Sequence, residues 1–186
     1  LLLRWETKSL GLWLTRKLAV SGYMSAQCYL ARFYSDDTKA PKDLSEAAKW
    51  RRMAAEQGNA NSQLKLGLKY FGANNVEEAV KWFRKAAEQG NASAQEILGA
   101  IYFKGHGIPQ DLEEAKKWLV KAAVAGIAGA QYFLGLAYRD GKGVSKDLDQ
   151  AVRLFRLAAA QGDANAQYSL GCCYQIGQGV EEDLEE

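Results

Sequence analysis

Residues Ala92–Gly126, ASAQEILGAIYFKGHGIPQDLEEAKKWLVKAAVAG, form one unit, and the rest of the chain is that unit written again. The closing glycines Gly22, Gly58, Gly90, Gly126 and Gly162 are 36, 32, 36 and 36 residues apart. Counted from each glycine, the fifth place is Gln27, Gln63, Gln95, Gln131 and Gln167. The eighth is Leu30, Leu66, Leu98, Leu134 and Leu170, and the twelfth is Tyr34, Tyr70, Tyr102, Tyr138 and Tyr174. The ninth is small throughout: Ala31, Gly67, Gly99, Gly135 and Gly171. A fixed period in this range marks a solenoid of stacked supersecondary units.

Each unit reads as two helices. Ala94, Leu98 and Tyr102 recur every fourth residue, one face of a first-type helix. Gly99 lies beside that face. A helical glycine costs about 1 kcal/mol against alanine, so its repetition predicts close approach of a neighbouring helix. The helix stops at Gly105-His106-Gly107-Ile108-Pro109, where glycine supplies left-handed backbone and proline cannot continue the helix. A second-type helix starts at Asp111, with Glu114 three residues on as an aspartate version of the capping box. The pattern recurs as Asp43/Glu46, Asp147/Gln150 and Asp183/Glu186. Its buried stripe is Ala115, Trp118 or Leu119, Ala122 and Ala123.

The register divides the chain into a partial unit at 1–22, units at 23–58, 59–90, 91–126 and 127–162, and a partial unit at 163–186. In the first, Leu14 falls where Trp82 stands and Arg16-Lys17 matches Arg84-Lys85, so a second-type helix is expected. The loop 35–41 lacks the Gly-x-Gly pattern. The unit 59–90 is four residues short, which places the deletion at Gly72-Ala73-Asn74-Asn75, a tight turn that asparagine tolerates. Leu154 stands where other units have tryptophan. Both ends are unfinished units, which leads us to expect a piece of a longer array.

Hydrophobic residues make up 48% of the 186 positions and charged residues 25%. A formal net charge of +2 gives no nucleic-acid footprint. No run of about 18 apolar residues is present to insert in a membrane. Cys28, Cys172 and Cys173 are odd in number and irregular in spacing, so no disulfide framework follows. A monomer is expected.

The combination Ala-Gln-x-x-Leu-Gly-x-x-Tyr, Gly-x-Gly-Val/Ile-x-x-Asp and Ala-x-x-Trp-x-x-x-Ala-Ala-x-x-Gly resembles the Sel1-like repeat, a relative of the tetratricopeptide repeat. Ala94-Gln95, Leu98-Gly99, Tyr102, Gly105, Gly107, Asp111, Ala115, Trp118, Ala122-Ala123 and Gly126 carry the match. The resemblance implies an all-α fold, an α/α right-handed superhelix of helix–turn–helix units. It also implies a role in assembling protein complexes. One branch of that family, the cysteine-rich secreted proteins, joins the helices of each unit by a disulfide; no second-type helix here carries a cysteine.

The resemblance also implies that first-type helices line a concave groove. Places three, six, ten and thirteen of each unit then face inward, and the last three of these lie outside the repeated core set. They supply Leu64, Leu68, Phe71, Glu96, Phe103, Tyr132, Leu136, Arg139 and Tyr168 as candidate partner-binding residues. A protein or peptide is the expected occupant, held on an apolar floor with Glu96 and Arg139 for charged groups.

Catalysis is not expected, and neither is a cofactor or a metal. His106 sits between two glycines in a loop without spaced partners. The acid pairs Glu77-Glu78, Glu113-Glu114 and Glu181-Glu182 fall near helix starts, where the helix dipole favours them. Trp50, Trp82 and Trp118 share one unit position and are assigned to the core. The alternative is an envelope-associated hydrolase or a penicillin-binding, β-lactamase-like protein. It needs Ser-x-x-Lys or a nucleophile–histidine–acid set, and it is set aside on the expectation that neither is present.

Overall fold

The computed structural model describes residues 2–35 and 43–175, with side chains from Leu10 onward. Ten helices and no strand occur among the described residues: α1 (Leu2–Val20), α2 (Met24–Phe33), α3 (Leu44–Glu56), α4 (Ala60–Gly72), α5 (Val76–Glu88), α6 (Ala92–Lys104), α7 (Leu112–Val124), α8 (Ala128–Asp140), α9 (Leu148–Ala160) and α10 (Ala164–Gln175). First-type helices are the even-numbered ones and second-type helices the odd-numbered ones. Each helix packs on its chain neighbours, and α6 also touches α8 directly. The expected caps Asp183/Glu186 and most of the irregular loop at 35–41 lie outside the described residues.

Local chemistry sets the helix limits. Asp43, Asp111 and Asp147 accept the backbone N–H groups of Glu46, Glu114 and Gln150 at 2.9–3.0 Å. Each such cap contributes about 1 kcal/mol. The returning half of the capping box does not form as expected. Glu46 and Glu114 instead accept the indole N–H of Trp50 and Trp118, four residues on, at 2.9 Å. A buried indole donor has no water to turn to, so the carboxylate serves it rather than the helix start. First-type helices have caps that the sequence reading passes over: Asn59, Asn91 and Asp163 accept from Ser62, Ala94 and Ala166. In the shortened unit Asn74 takes the left-handed turn, φ 58°, and Asn75 caps α5.

The glycines of the first-type helices sit under second-type side chains. A methyl group on Gly67 would lie 2.7 Å from Phe83, on Gly99 2.7 Å from Leu119, and on Gly135 2.6 Å from Phe155. Phe83, Leu119 and Phe155 are fully buried. In these three units the residue after the tryptophan position is therefore the deeper of the two, whereas in α3 Trp50 is buried and Arg51 half-buried. Trp50 and Trp118 are also buried, but Trp82 is only half-buried, so its assignment to the core holds in part. The loops add a second close approach. Gly107, at φ 71°, lies against Val76 at the start of the previous second-type helix, so the Gly-x-Gly loop also joins one unit to the last.

Two polar ties recur at the junctions between units. The repeated glutamine donates to the end of the preceding helix: Gln27 to the Ala19 carbonyl, Gln63 to Ala55 and Gln95 to Ala87, at 2.9–3.0 Å. Its own carbonyl oxygen accepts from the glutamine before a closing glycine, as in Gln57–Gln27, Gln89–Gln63 and Gln161–Gln131 at 2.7–2.9 Å. Arginine on the second-type helix donates to the tyrosine hydroxyl of the next unit: Arg52 to Tyr70, Arg84 to Tyr102 and Arg156 to Tyr174, at 2.6–2.7 Å. The junction of α7 with α8 departs from this scheme. Val120 stands at the arginine position, Ala125 at the glutamine position, and Ile127, the N-cap residue of α8, makes no side-chain cap.

Candidate functional site

The packing and capping just described use the repeated residues, which leaves the variable positions of α4, α6, α8 and α10 as the candidate surface. Leu68 on α4 and Tyr168 on α10 are open to solvent, 46% and 76% exposed. Leu64 and Phe71 are half-buried and pack on the cluster around Phe83 and Leu98. The Phe71 ring lies 6.4 Å from that of Phe83 and 5.4 Å from the imidazole of His106. His106 is exposed as expected, and it covers one side of Phe71.

Tyr132 and Leu136 are half-buried on α8. The Tyr132 ring stands 5.4 Å from Phe133 and 6.0 Å from Phe155. Leu136 packs on the clusters either side of it. Phe103 requires a correction. It is only 8% exposed and belongs to a core cluster with Leu119 and Leu134. It ends the first helix of a unit whose neighbour follows closely, so α8 covers it with Phe133, 5.9 Å away. The expectation that these positions lie outside the core therefore holds for Leu68 and Tyr168, holds in part for the half-buried ones and fails for Phe103.

The two charged candidates differ. Glu96 is half-buried, and a methyl group on Gly129 of α8 would overlap its Oε1. Burial, with a smaller contribution from Asp163, pushes its carboxyl above the usual carboxylate range. Arg139 is not free. It bonds Asp140 at 2.7 Å, which holds the Asp140 carboxyl below its ordinary value.

Chemical sites are sparse among the described residues. No trio of His, Cys, Asp or Glu is placed to hold a metal ion. The expectation that Ser-x-x-Lys is absent is corrected: Ser62-Gln63-Leu64-Lys65 has that spacing. Here Ser62 is buried beside Cys28, 3.9 Å away, while Lys65 is exposed and makes no bond to it. A penicillin-type nucleophile needs an open hydroxyl with its base in reach. A shallow cavity of about 410 Å³ beside the loop 108–111 includes Tyr102 and Asp111. Both are engaged, the first by Arg84 and the second by the α7 cap.

The sequence pattern of Sel1 repeats matches residues 25–59, 60–91, 92–126, 128–163 and 164–186. The chain belongs to the Sel1 repeat family. A protective antigen of uropathogenic Escherichia coli with this repeat fold is 36% identical over 92% of the chain, TM-score 0.82. The chain spans 38% of the length of that antigen. A Sel1 repeat protein of Oxalobacter formigenes is 36% identical over 88% of this chain and 69% of its own, TM-score 0.78. Cysteine-rich protein B of Helicobacter pylori is 27% identical over 69% of this chain and 96% of its own, TM-score 0.53. No curated protein matches the chain in sequence.

These likenesses agree with the helical-hairpin solenoid above. Sel1 repeat proteins generally mediate protein–protein interaction and act as non-catalytic scaffolds. Among the described residues no helix is long and apolar enough to cross a membrane. The three cysteines of this Sel1 array are free.

Proposed function

We propose that this chain is a non-catalytic scaffold that binds a protein or peptide segment along its first-type helices. The carrying observation is the separation of roles along the repeat. Gln, Leu, Gly and Tyr at fixed places serve packing and inter-unit bonding, while the places between them vary and include exposed Leu68 and Tyr168. Large exposed apolar side chains held on rigid helices lose little entropy on binding and make good anchors. Tyr132, Leu136, Leu64 and Phe71 extend the apolar surface between them with their outer edges. Glu96, half-buried on α6, can accept a hydrogen bond from a donor of the bound segment.

Affinity capture with mass spectrometry tests this, comparing the chain with a Leu68→Ser/Tyr168→Ser variant. Both positions are exposed, so the fold should survive, as circular dichroism would show. Partners retained by the parent and lost by the variant support the proposal. Equal capture by both, or saturable hydrolysis abolished by a single substitution, would overturn it.

A further inference from the structure

The helix α1 departs from the other second-type helices. It runs for 19 residues, where α3, α5, α7 and α9 each run for 13. Counted back from the closing glycine, Leu18 stands where Ala54, Ala86, Ala122 and Ala158 are fully buried. Thr15 stands where Phe83, Leu119 and Phe155 lie against a helical glycine. A first-type helix packs on the small residue and the large one at these two places, and α1 has them the other way round. Its open side is therefore not shaped for another Sel1 hairpin partner. That side is apolar all the same. Leu10, Trp13 and Val20 are 57%, 50% and 71% exposed. Leu12, Thr15 and Ala19 lie on the side turned to the stack, half-buried or buried.

Arranged by sevens, the open side is the seam of a coiled coil. Leu3, Leu10 and Lys17 share one heptad position, and Glu6, Trp13 and Val20 share the other. When a second copy is laid antiparallel with its Trp13 against Leu10, its Val20 falls opposite Leu3 and its Lys17 opposite Glu6. The two charged places of the seam then meet as opposite charges, and each pair occurs twice about the two-fold axis. A parallel pair would set Glu6 against Glu6 and Lys17 against Lys17. Arg4 and Lys8 fall off the seam by the same count. Arg16, beside the seam, is drawn to Glu46 at 3.5 Å and lies over the Tyr34 ring.

The surface of α1 supplies an independent sign. A shallow cavity of about 400 Å³ is lined by Trp13, Arg16, Lys17 and Val20, with Ser21 at its edge. The first four are spaced i, i+3, i+4 and i+7, the corners of the hole that receives a knob from a facing helix. In the antiparallel register the residue over this hole is Glu6 of the second copy. Trp13 and Val20 offer apolar walls to its stem. Lys17, whose Nζ is 4.2 Å from the centre of the Trp13 ring, meets its carboxylate. We infer that α1 is a self-association surface, through which two copies of this chain dock as an antiparallel helix pair closed by two Glu6–Lys17 contacts. This replaces the monomer expected from the sequence. An anionic bilayer suits the face less well, because Glu6 stands within the strip it would cover. The surface lies at the first helix of the stack, apart from the proposed groove, so either reading can fail alone.

Sedimentation velocity of the whole chain over a concentration series tests this. A dimer that dissociates on dilution is expected at about 100 μM, as suits so small an interface. Leu10→Ser, at an exposed position, should leave the circular dichroism unchanged and abolish the dimer. Glu6→Lys and Lys17→Glu should each weaken it by at least about tenfold, and Glu6→Lys/Lys17→Glu should restore it to within about threefold of the parent. Only an antiparallel seam gives that rescue, and it holds even if Leu10→Ser fails to fold. A chain that stays monomeric throughout the series would overturn the inference. So would a dimer that Glu6→Lys leaves unchanged, or a double variant as weak as the single ones. Binding to phosphatidylglycerol vesicles that Leu10→Ser abolishes, by a chain that stays monomeric in solution, would assign the face to a membrane instead.

Discussion

Replacing Gly135 by leucine puts the close packing of each helical hairpin to a direct test. The first carbon of any side chain there would lie 2.6 Å from Cε1 and 2.8 Å from Cδ1 of Phe155. Ordinary carbon contacts are about 3.5–4.0 Å, so ring and helix must separate by about 1 Å before the rest of the leucine is placed. Phe155 is fully buried and flanked by Tyr132, so the ring has nowhere to rotate. Overpacking costs about 1–3 kcal/mol when side chains can adjust. Here backbone must move and the leucine adds three further carbons, so the cost exceeds that range. Better helix propensity returns about 1 kcal/mol. A net loss of at least about 3 kcal/mol is expected in urea melts. Gly11→Leu on α1, where nothing described lies within 4 Å, is the control and should be neutral or stabilising. If Gly135→Leu were as harmless as the control, the hairpins would not be packed as described.

Arg84→Ala removes bonds to Tyr102 and Glu114 together and should cost about 1–2 kcal/mol, discounted for partial exposure. Arg52→Ala, which loses only Tyr70, should cost less in the same melts. Gln95→Leu removes the side-chain donor to the Ala87 carbonyl, which keeps the Gly90 N–H, and should lower stability by about 1 kcal/mol. Glu96 has a folded pKa above its unfolded value, so the folded state holds the proton more tightly. Its contribution to stability therefore falls as pH rises from the ordinary carboxylate pKa through the raised one. Glu96→Gln should remove that fall and stabilise the chain at pH 7, as thermal melts across pH would record. Asp140, held low by Arg139, acts with the opposite sign, losing stability as pH falls through its lowered pKa.

Much of the fold was legible because period and packing are one fact in a solenoid. Gln, Leu, Gly and Tyr recur at fixed places since each meets the same neighbour in every unit. The tight turn at Gly72-Ala73-Asn74-Asn75 and the close approach at Gly99 and Gly135 follow from that. The Arg52, Arg84 and Arg156 column lies in the same register, six places before the closing glycine, and could have been found by the same counting. What it bonds could not, because Arg and Tyr are 18 residues apart and meet only once two units are stacked. Phe103 and Trp82 were misjudged for a related reason. Place in a unit tells which face a side chain takes, but the depth of burial depends on the particular residue opposite. Phe133 covers Phe103, while Phe83 takes the deep position that leaves Trp82 half-buried. Glu46 and Glu114 read as capping residues by spacing, and only the buried indole beside each shows where the carboxylate goes.

The most direct test of the scaffold assignment is hydrogen exchange with mass spectrometry, on the chain alone and bound to a partner taken from the capture experiment. The account predicts slowed exchange in the first-type helices α4, α8 and α10, around Leu68, Tyr132 and Tyr168. The second-type helices α3 and α5 should be unchanged. Protection confined to α3 and α5, or no change in any helix at saturating partner, would contradict it.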